Sequence, residues 1–232
     1  THPSEGGLDE IDAIRGLAFN EDVSVQLSQR NVLDVHVLQH VMPEEALHIR
    51  GRHNPINALA ALALIYAAGL SISDALRALS QYKGEPHRVE YVMTVNDIDY
   101  IDDSKGTNVG ATVAALEGLG ARGSRLVVIL GGDGKGQDFA PIAESMAKYA
   151  RGAVLIGRDA PLIEKALAGA TYPIVHAKDM PEAVRKATDL AEPHDCVLLS
   201  PACASWDMFK DYAERSAIFI ASAKALAGEN QQ

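Results

Sequence analysis

The sequence predicts an α/β protein whose larger, C-terminal part is an open, mostly parallel sheet, and three observations lead there. From Glu85 onward, apolar β-type runs alternate with amphipathic helical stretches, the pattern of crossover connections between parallel strands. The run 126–130 is continuously apolar and is followed by glycines and a helical stretch, as for a strand covered on both faces. Polar loops at 102–108, 131–138 and 200–205 each follow such a strand, and in these sheets ligands sit beyond the carboxyl ends of the strands. The expected class is therefore Rossmann-like.

Taken in order, 23–27, 32–38 and 46–49 read as short strands separated by polar turns. Three such strands bury little unless another layer covers them, so residues 1–84 read as the end of one domain and 85–232 as a second. An Ala/Leu-rich helix over 58–68 stops at Gly69, and Asn57 at its head is a cap or a ligand contact. A second helix, capped by Ser73, runs towards Gly84. Strands at 89–95 and 98–101 turn around Asn96-Asp97. The helix over 109–119 sets Val109, Val113, Leu116 and Leu119 on one face. Helix 141–150, strand 153–156, helix 160–167, strand 173–175, helix 181–191 and strand 196–199 continue the alternation. The last helix aligns Phe209, Tyr212, Ser216, Ile220, Ala223 and Leu226 on one stripe.

Composition narrows the function classes. The 232 residues are 47% hydrophobic and 22% charged, and no apolar run approaches the ~20 residues of a membrane span. A formal net charge of −10 argues against general binding to nucleic acid or anionic membranes. Any anionic ligand must then be held by a local cluster of Lys and Arg. Two cysteines, Cys196 and Cys203, make no disulfide framework, which fits a reducing, cytoplasmic location. The chain opens Thr1-His2-Pro3 with no secretory apolar region and reads as a processed or cut polypeptide. The histidines lack metal-ligand spacing, so no metal is expected to be held by this chain.

The three loops differ in chemistry. Asp102-Asp103-Ser104-Lys105-Gly106-Thr107-Asn108 presents both signs of charge and two hydroxyls, suited to a ligand with phosphate or carboxylate at one end and hydroxyls at another; an ordinary N-cap at Thr107 or Asn108 is the alternative. Gly131-Gly132-Asp133-Gly134-Lys135-Gly136 is not a Walker loop, because Ile129 stands where the first Gly is required and Gly136 where the Mg²⁺-binding hydroxyl is required. It leaves Lys135 as one ammonium at a strand tip, suited to a carboxylate or phosphate oxygen. In Ser200-Pro201-Ala202-Cys203-Ala204-Ser205 a nucleophile would need a base, and no His lies in the neighbouring motif loops, although His194 precedes the same strand. The hydroxyls and N–H groups there, at the start of the last helix, suit a carboxylate instead, with Cys203 as a small packing residue. Arg88, just past a hinge at 84–87, reads as a phosphate clamp or a surface residue at a strand start.

Taken together, Gly51-Arg52-His53-Asn54, Asn57-Ala58-Leu59-Ala60-Ala61, Pro86-His87-Arg88, the 102–108 motif and 200–205 followed by Phe209 resemble the Mur ligase family over nearly the whole chain. The resemblance implies the tail of that family's central ATPase domain in 1–84 and its whole C-terminal domain in 85–232. It implies a cytoplasmic, ATP-dependent amide ligase of peptidoglycan synthesis that adds D-glutamate to UDP-N-acetylmuramoyl-L-alanine through an acyl phosphate. By the same resemblance Asn57 contacts adenine, Arg88 the phosphates, Asp103 the ribose hydroxyls and Lys105 the nucleotide, with Arg88 and Lys105 stabilising charge on the transferring phosphoryl. Thr107, Lys135, Ser205 and the backbone of Trp206 would hold the D-glutamate carboxylates, with Tyr212 packed beside them. Family members often carry an aliphatic residue where Trp206 stands and Phe where Tyr212 stands. The family's UDP-binding domain, its phosphate loop and the lysine it carbamylates precede the region covered, so the implied cofactors are ATP and Mg²⁺, the latter held mainly outside this chain. These 232 residues alone are expected to bind nucleotide weakly and not to ligate. Apolar faces near Val23, Val35 and Leu62 are expected to be exposed or re-paired, with self-association or local disorder in that part. Two other readings are another Mur or folylpolyglutamate-type ligase and a non-catalytic nucleotide-binding module; amino-acid selection and the presence of an upstream phosphate loop separate them.

Overall fold

The computed structural model describes residues 23–28, 31–35, 42, 46–49, 53–121 and 123–229, and the chain divides into two compact units, Thr1–Lys83 and Gly84–Gln232. In the first unit β1 (Val23–Ser28) and β2 (Asn31–Val35) pair antiparallel, Val23 opposite Val35. Helices α1 (His53–Ala67) and α2 (Ile72–Gln81) follow. Leu47, Ala58 and Leu59 form a small buried cluster with Met42, Ile49 and Leu79 packed on it.

Four expectations for this unit are corrected. No strand forms at 46–49, because Leu47 is used to pack against α1 rather than to extend a sheet. Helix α1 starts at His53, since Pro55 is tolerated in a first turn where its missing N–H costs nothing. Asn57 thus lies inside the helix and is exposed, not at its head. Ser71, not Ser73, caps α2, its Oγ accepting from the Asp74 N–H at 3.3 Å. Leu62 is fully buried, and the exposed large apolar residues of α1 are Ile56, Leu64 and Tyr66. The expected strand beyond residue 35 and the side chains of Val23 and Val35 lie outside what is described.

The second unit contains β3 (Glu90–Val95), β4 (Ile98–Asp102), α3 (Val109–Gly120), β5 (Leu126–Gly131), α4 (Ala140–Tyr149), β6 (Ala150–Ile156), α5 (Ala160–Ala166), β7 (Ile174–His176), α6 (Met180–Leu190), β8 (Cys196–Leu199) and α7 (Tyr212–Glu229). One sheet runs in the order β3-β4-β8-β5-β6-β7. Its edge pair β3–β4 is antiparallel, joined by Asn96 and Asp97 at φ 50° and 61°, the left-handed pair a two-residue hairpin favours. All other neighbours are parallel. The predicted mostly parallel α/β sheet is therefore observed.

Alternation along the central strands separates two cores. Val128, Leu130, Ala153, Leu155 and Leu198 face Leu116, Leu119, Ile142, Met146 and Ile163. Val127, Ile129, Val154, Val197 and Leu199 face Met180, Val184, Phe219 and Ala223. Every residue of β5 is buried. On α7 the buried face is Arg215, Ser216, Phe219 and Ala223, turned by about one position from the expected stripe. Tyr212 is exposed at the helix start, and Phe209 precedes the helix. Among the described residues no helix is long and apolar enough to cross a membrane.

Candidate functional site

The site is made by strand order. Strand β8 lies between β4 and β5, so the loops that leave their carboxyl ends, 102–108, 200–205 and 131–138, are side by side. Backbone hydrogen bonds join them directly. Asp103 N–H donates to Leu199 O at 2.8 Å and Gly131 N–H to Pro201 O at 2.9 Å. Asp133 and Ala204 exchange N–H···O bonds at 2.9 and 2.8 Å. Gly132, at φ 128°, allows this approach, because a Cβ there would collide with the Ala204 carbonyl oxygen.

One corner of the site is built on buried charge. Arg88 is exposed and stands between two left-handed residues, His87 at φ 65° and Val89 at φ 48°. For a β-branched residue that backbone is strained, and the surroundings over-determine it. Val89 N–H donates to Asp103 Oδ1 at 3.3 Å, His87 N–H to Glu90 Oε2 at 2.8 Å, and Lys105 N–H to His87 O at 3.1 Å. The His87 ring meets Asp102 Oδ2 at 2.9 Å. Ser200 Oγ donates to Asp103 Oδ2 at 2.7 Å. Burial raises the Asp103 carboxyl to about 6, against the opposing hydrogen bonds from Ser200 and Val89. Lys105 Nζ lies 5.6 Å from the centre of the Tyr212 ring, within cation–π range. Tyr212 therefore meets Lys105 and, edge-on, His87.

Arg215 locks this corner to the β8 loop. It is fully buried and donates to Ser104 Oγ at 3.1 Å, Ser104 O at 2.7 Å and Cys203 O at 3.1 Å. Burial lowers its guanidinium to about 10. The expected stripe through Tyr212 and Ser216 passes beside Arg215, so no sequence signal marked it, and its burial is set by partners far away in the chain. Cys203 is buried and its thiol is pushed up to about 12 by burial, as befits a packing residue.

The other corner offers free donors. Lys135, at φ 52°, is exposed at the tip of its loop. Among the described residues no group pairs with Lys135 Nζ, Thr107 Oγ1 or Ser205 Oγ, although Ser205 is only 3% exposed. A buried hydroxyl without a protein partner is unusual. Gln137, not singled out by the sequence, ties the loops together: its Oε1 accepts from Val109 N–H at 2.9 Å, and its Nε2 donates to Gly134 O at 2.9 Å and Ala202 O at 3.0 Å. Asn108, not Thr107, caps α3, accepting from Ala111 N–H at 2.9 Å, which leaves the Thr107 hydroxyl without a partner among the described residues. One expectation is corrected: 200–205 is not the start of the last helix, which begins at Tyr212. Ser205 instead opens a turn, its carbonyl accepting from Met208 and Phe209 N–H. Trp206 is 70% exposed. Asn57 belongs to the first unit.

Among the described residues one group, His87, Glu90 and Asp102, brings three ligand-type atoms within 4.8 Å of one another. The Asp102 carboxylate already accepts from Ser104 N–H at 2.9 Å, His87 Nδ1 at 2.9 Å and Ser216 Oγ at 2.5 Å. A hydrogen-bonded imidazole is also a poor ligand for Mg²⁺, which requires oxygen donors in near-octahedral array. The group does not fit that ion and reads as a hydrogen-bonded brace for the Arg88 segment.

Residues 87–203 match the family described as Mur ligase, glutamate ligase domain. The chain is similar to the UDP-N-acetylmuramoylalanine–D-glutamate ligases of Polaromonas sp. (50% identity over 98% of this chain and 39% of the relative) and Burkholderia cenocepacia (54% over 81% of this chain and 37% of the relative). It thus spans about two fifths of the length of these relatives. Its fold is similar to UDP-N-acetylmuramate-alanine ligase from Thermotoga maritima (TM-score 0.60, 20% identity, 77% of this chain and 39% of that one). It is also similar to Mycobacterium tuberculosis folylpolyglutamate synthase complexed with ADP and AMPPCP (TM-score 0.58, 19% identity, 83% of this chain and 43% of that one).

Proposed function

The chain belongs to the Mur ligase family, and from that premise we propose that it forms the nucleotide- and amino-acid-binding portion of a ligase that joins D-glutamate to UDP-N-acetylmuramoyl-L-alanine. The single observation that supports this most is the insertion of β8 between β4 and β5, which sets a braced, charged loop beside a loop with unpaired donors. The D-glutamate ligases similar to it supply the choice of amino acid.

In this reading Arg88, Asp103 and Lys105 hold ATP, with the Asp103 carboxylate accepting from the ribose hydroxyls. Arg88 and Lys105 stabilise the charge that develops when the substrate carboxylate oxygen attacks the γ-phosphorus and ADP leaves. Thr107, Lys135, Ser205 and the Trp206 N–H fix the two carboxylates of D-glutamate and leave its amine free. That amine attacks the acyl carbon, and phosphate departs as the amide forms. Tyr212 packs on Lys105 and, in this reading, beside the D-glutamate carboxylates. Mg²⁺ does not fit the group of His87, Glu90 and Asp102, and none of these steps is assigned to it. Ligation is proposed for a protein of the relatives' length, with weak nucleotide binding and no amide formation by the 232 residues alone.

Titration of the ¹⁵N-labelled chain with D-glutamate, L-glutamate and AMP-PNP tests the reading. Saturable shifts at Lys135, Ser205 and Trp206 with D-glutamate, weaker ones with its enantiomer, and shifts at Lys105 with nucleotide are expected. Equal responses to a panel of unrelated amino acids would remove the D-glutamate assignment and favour another ligase of the family.

A further inference from the structure

Arg158 is the second residue beyond β6, on a fourth loop that none of the roles above uses. Its guanidinium pairs through Nη2 with Asp133 and lies 3.5 Å, through Nε, from Asp159 Oδ1. Its backbone N–H donates to Asp207 Oδ2 at 2.7 Å. Asp133 uses the same Oδ1 to accept from the Lys135 N–H at 2.9 Å, Asp159 Oδ2 accepts from Gly134 N–H at 2.6 Å, and Asp159 N–H donates to Gly132 O at 3.1 Å. Asp207 is two residues beyond Ser205. One residue therefore grips the Lys135 loop with its side chain and the Ser205 loop with its backbone. The three chain segments are in close approach, because a Cβ on Gly157, at φ 75°, would meet both the Asp207 carboxylate and the Gly132 backbone.

We propose that Arg158, with Asp133, Asp159 and Asp207, is the positioning device that fixes the loop of Lys135 against the loop of Ser205 and Trp206. The amino-acid reading above supplies the choice of probe; the geometry does not depend on it. Charge gives a second reason. Three carboxylates at the edge of a pocket for a dicarboxylic amino acid repel that ligand and compete for the Lys135 ammonium, and one guanidinium between them neutralises part of that field. The Asp133 and Asp159 side chains are only 20% and 17% exposed, so solvent screens them incompletely. The hydrogen bond that Arg158 donates to Asp159 and the charge of Asp133 raise the Arg158 guanidinium above its ordinary value, consistent with a cation held among anions.

The test is a pair of titrations of the full 232-residue chain, with D-glutamate and with AMP-PNP, together with amide hydrogen exchange at Gly134, Lys135 and Gly136. In Arg158→Ala the affinity for D-glutamate falls by about tenfold or more while that for AMP-PNP stays within about twofold, a split that general destabilisation would not produce. Exchange at the three amides speeds by about tenfold. Asp207→Ala loses part of the D-glutamate affinity, and Asp207→Asn, which keeps an oxygen for the Arg158 N–H, restores most of it. Arg158→Lys, with one charge and no fork, falls between wild type and Arg158→Ala. Unchanged D-glutamate affinity and unchanged exchange in Arg158→Ala overturn the inference, as does parallel loss of both ligands. Should wild type take up no D-glutamate, the amino-acid reading fails, and the exchange rates alone decide the positioning role.

Discussion

Two corners of one sheet edge are built on opposite plans. The corner around Asp102, Asp103 and Arg215 is buried and closed: these three charged groups are directed onto protein donors or acceptors. The corner around Lys135, Ser205 and Trp206 keeps its donors unpaired and its cation in solvent. The first has to hold a strained segment, His87 to Val89, so that Arg88 stands outward; the second has only to be kept in register. Buried networks fix shape at the cost of desolvation, whereas free donors hold a ligand without contributing to the fold.

The sharpest way to break that contrast is Arg215→Ala. It leaves the Ser104 and Cys203 carbonyls buried and unpaired, and a loss of about 3–5 kcal/mol in urea unfolding is expected; a loss below about 1 kcal/mol would show that the two loops hold each other unaided. Next comes pH. The folded Asp103 carboxyl, at about 6, lies above the ordinary 3.8, so its contribution to stability is complete below about 4 and is lost as pH rises through about 6, on the order of 2–3 kcal/mol. Asp103→Asn flattens that part of the stability profile. In wild type, AMP-PNP affinity rises over the same window, as the carboxylate needed by the ribose hydroxyls forms. A profile unchanged by Asp103→Asn would assign the titration elsewhere.

Smaller effects sharpen the comparison from the open side. Gln137→Leu removes the ties to Val109, Gly134 and Ala202 and is expected to cost about 1–2 kcal/mol, with weaker D-glutamate binding in the same titration. Lys135→Met and Trp206→Leu are expected to change unfolding free energy by no more than about 0.5 kcal/mol, yet Lys135→Met removes the D-glutamate response. A large stability loss in Lys135→Met would erase the distinction between the corners.

Much of this was legible in the residues. The apolar run of β5, the Asn96-Asp97 turn and the regular alternation announce the parallel sheet, and glycines and polar residues after each strand announce the loops. Sequence reasoning failed where local and tertiary preferences compete. Leu47 packs instead of extending a strand, Ser71 outcompetes Ser73 as a cap, and α7 starts late because the turn opened by Ser205 delays it. Arg215, Gln137 and Arg158 escaped notice because each acts on residues far away in the chain, and no spacing records that.

By itself the sequence determined the element types, the loop chemistry and the resemblance to Mur ligases, since periodicity and turn residues are local quantities. Tertiary structure alone decided that β8 enters between β4 and β5, which residues brace the Arg88 segment, and which donors remain free. Those outcomes depend on strand order and on long-range hydrogen bonds, and both are settled only when the whole sheet closes around its two cores.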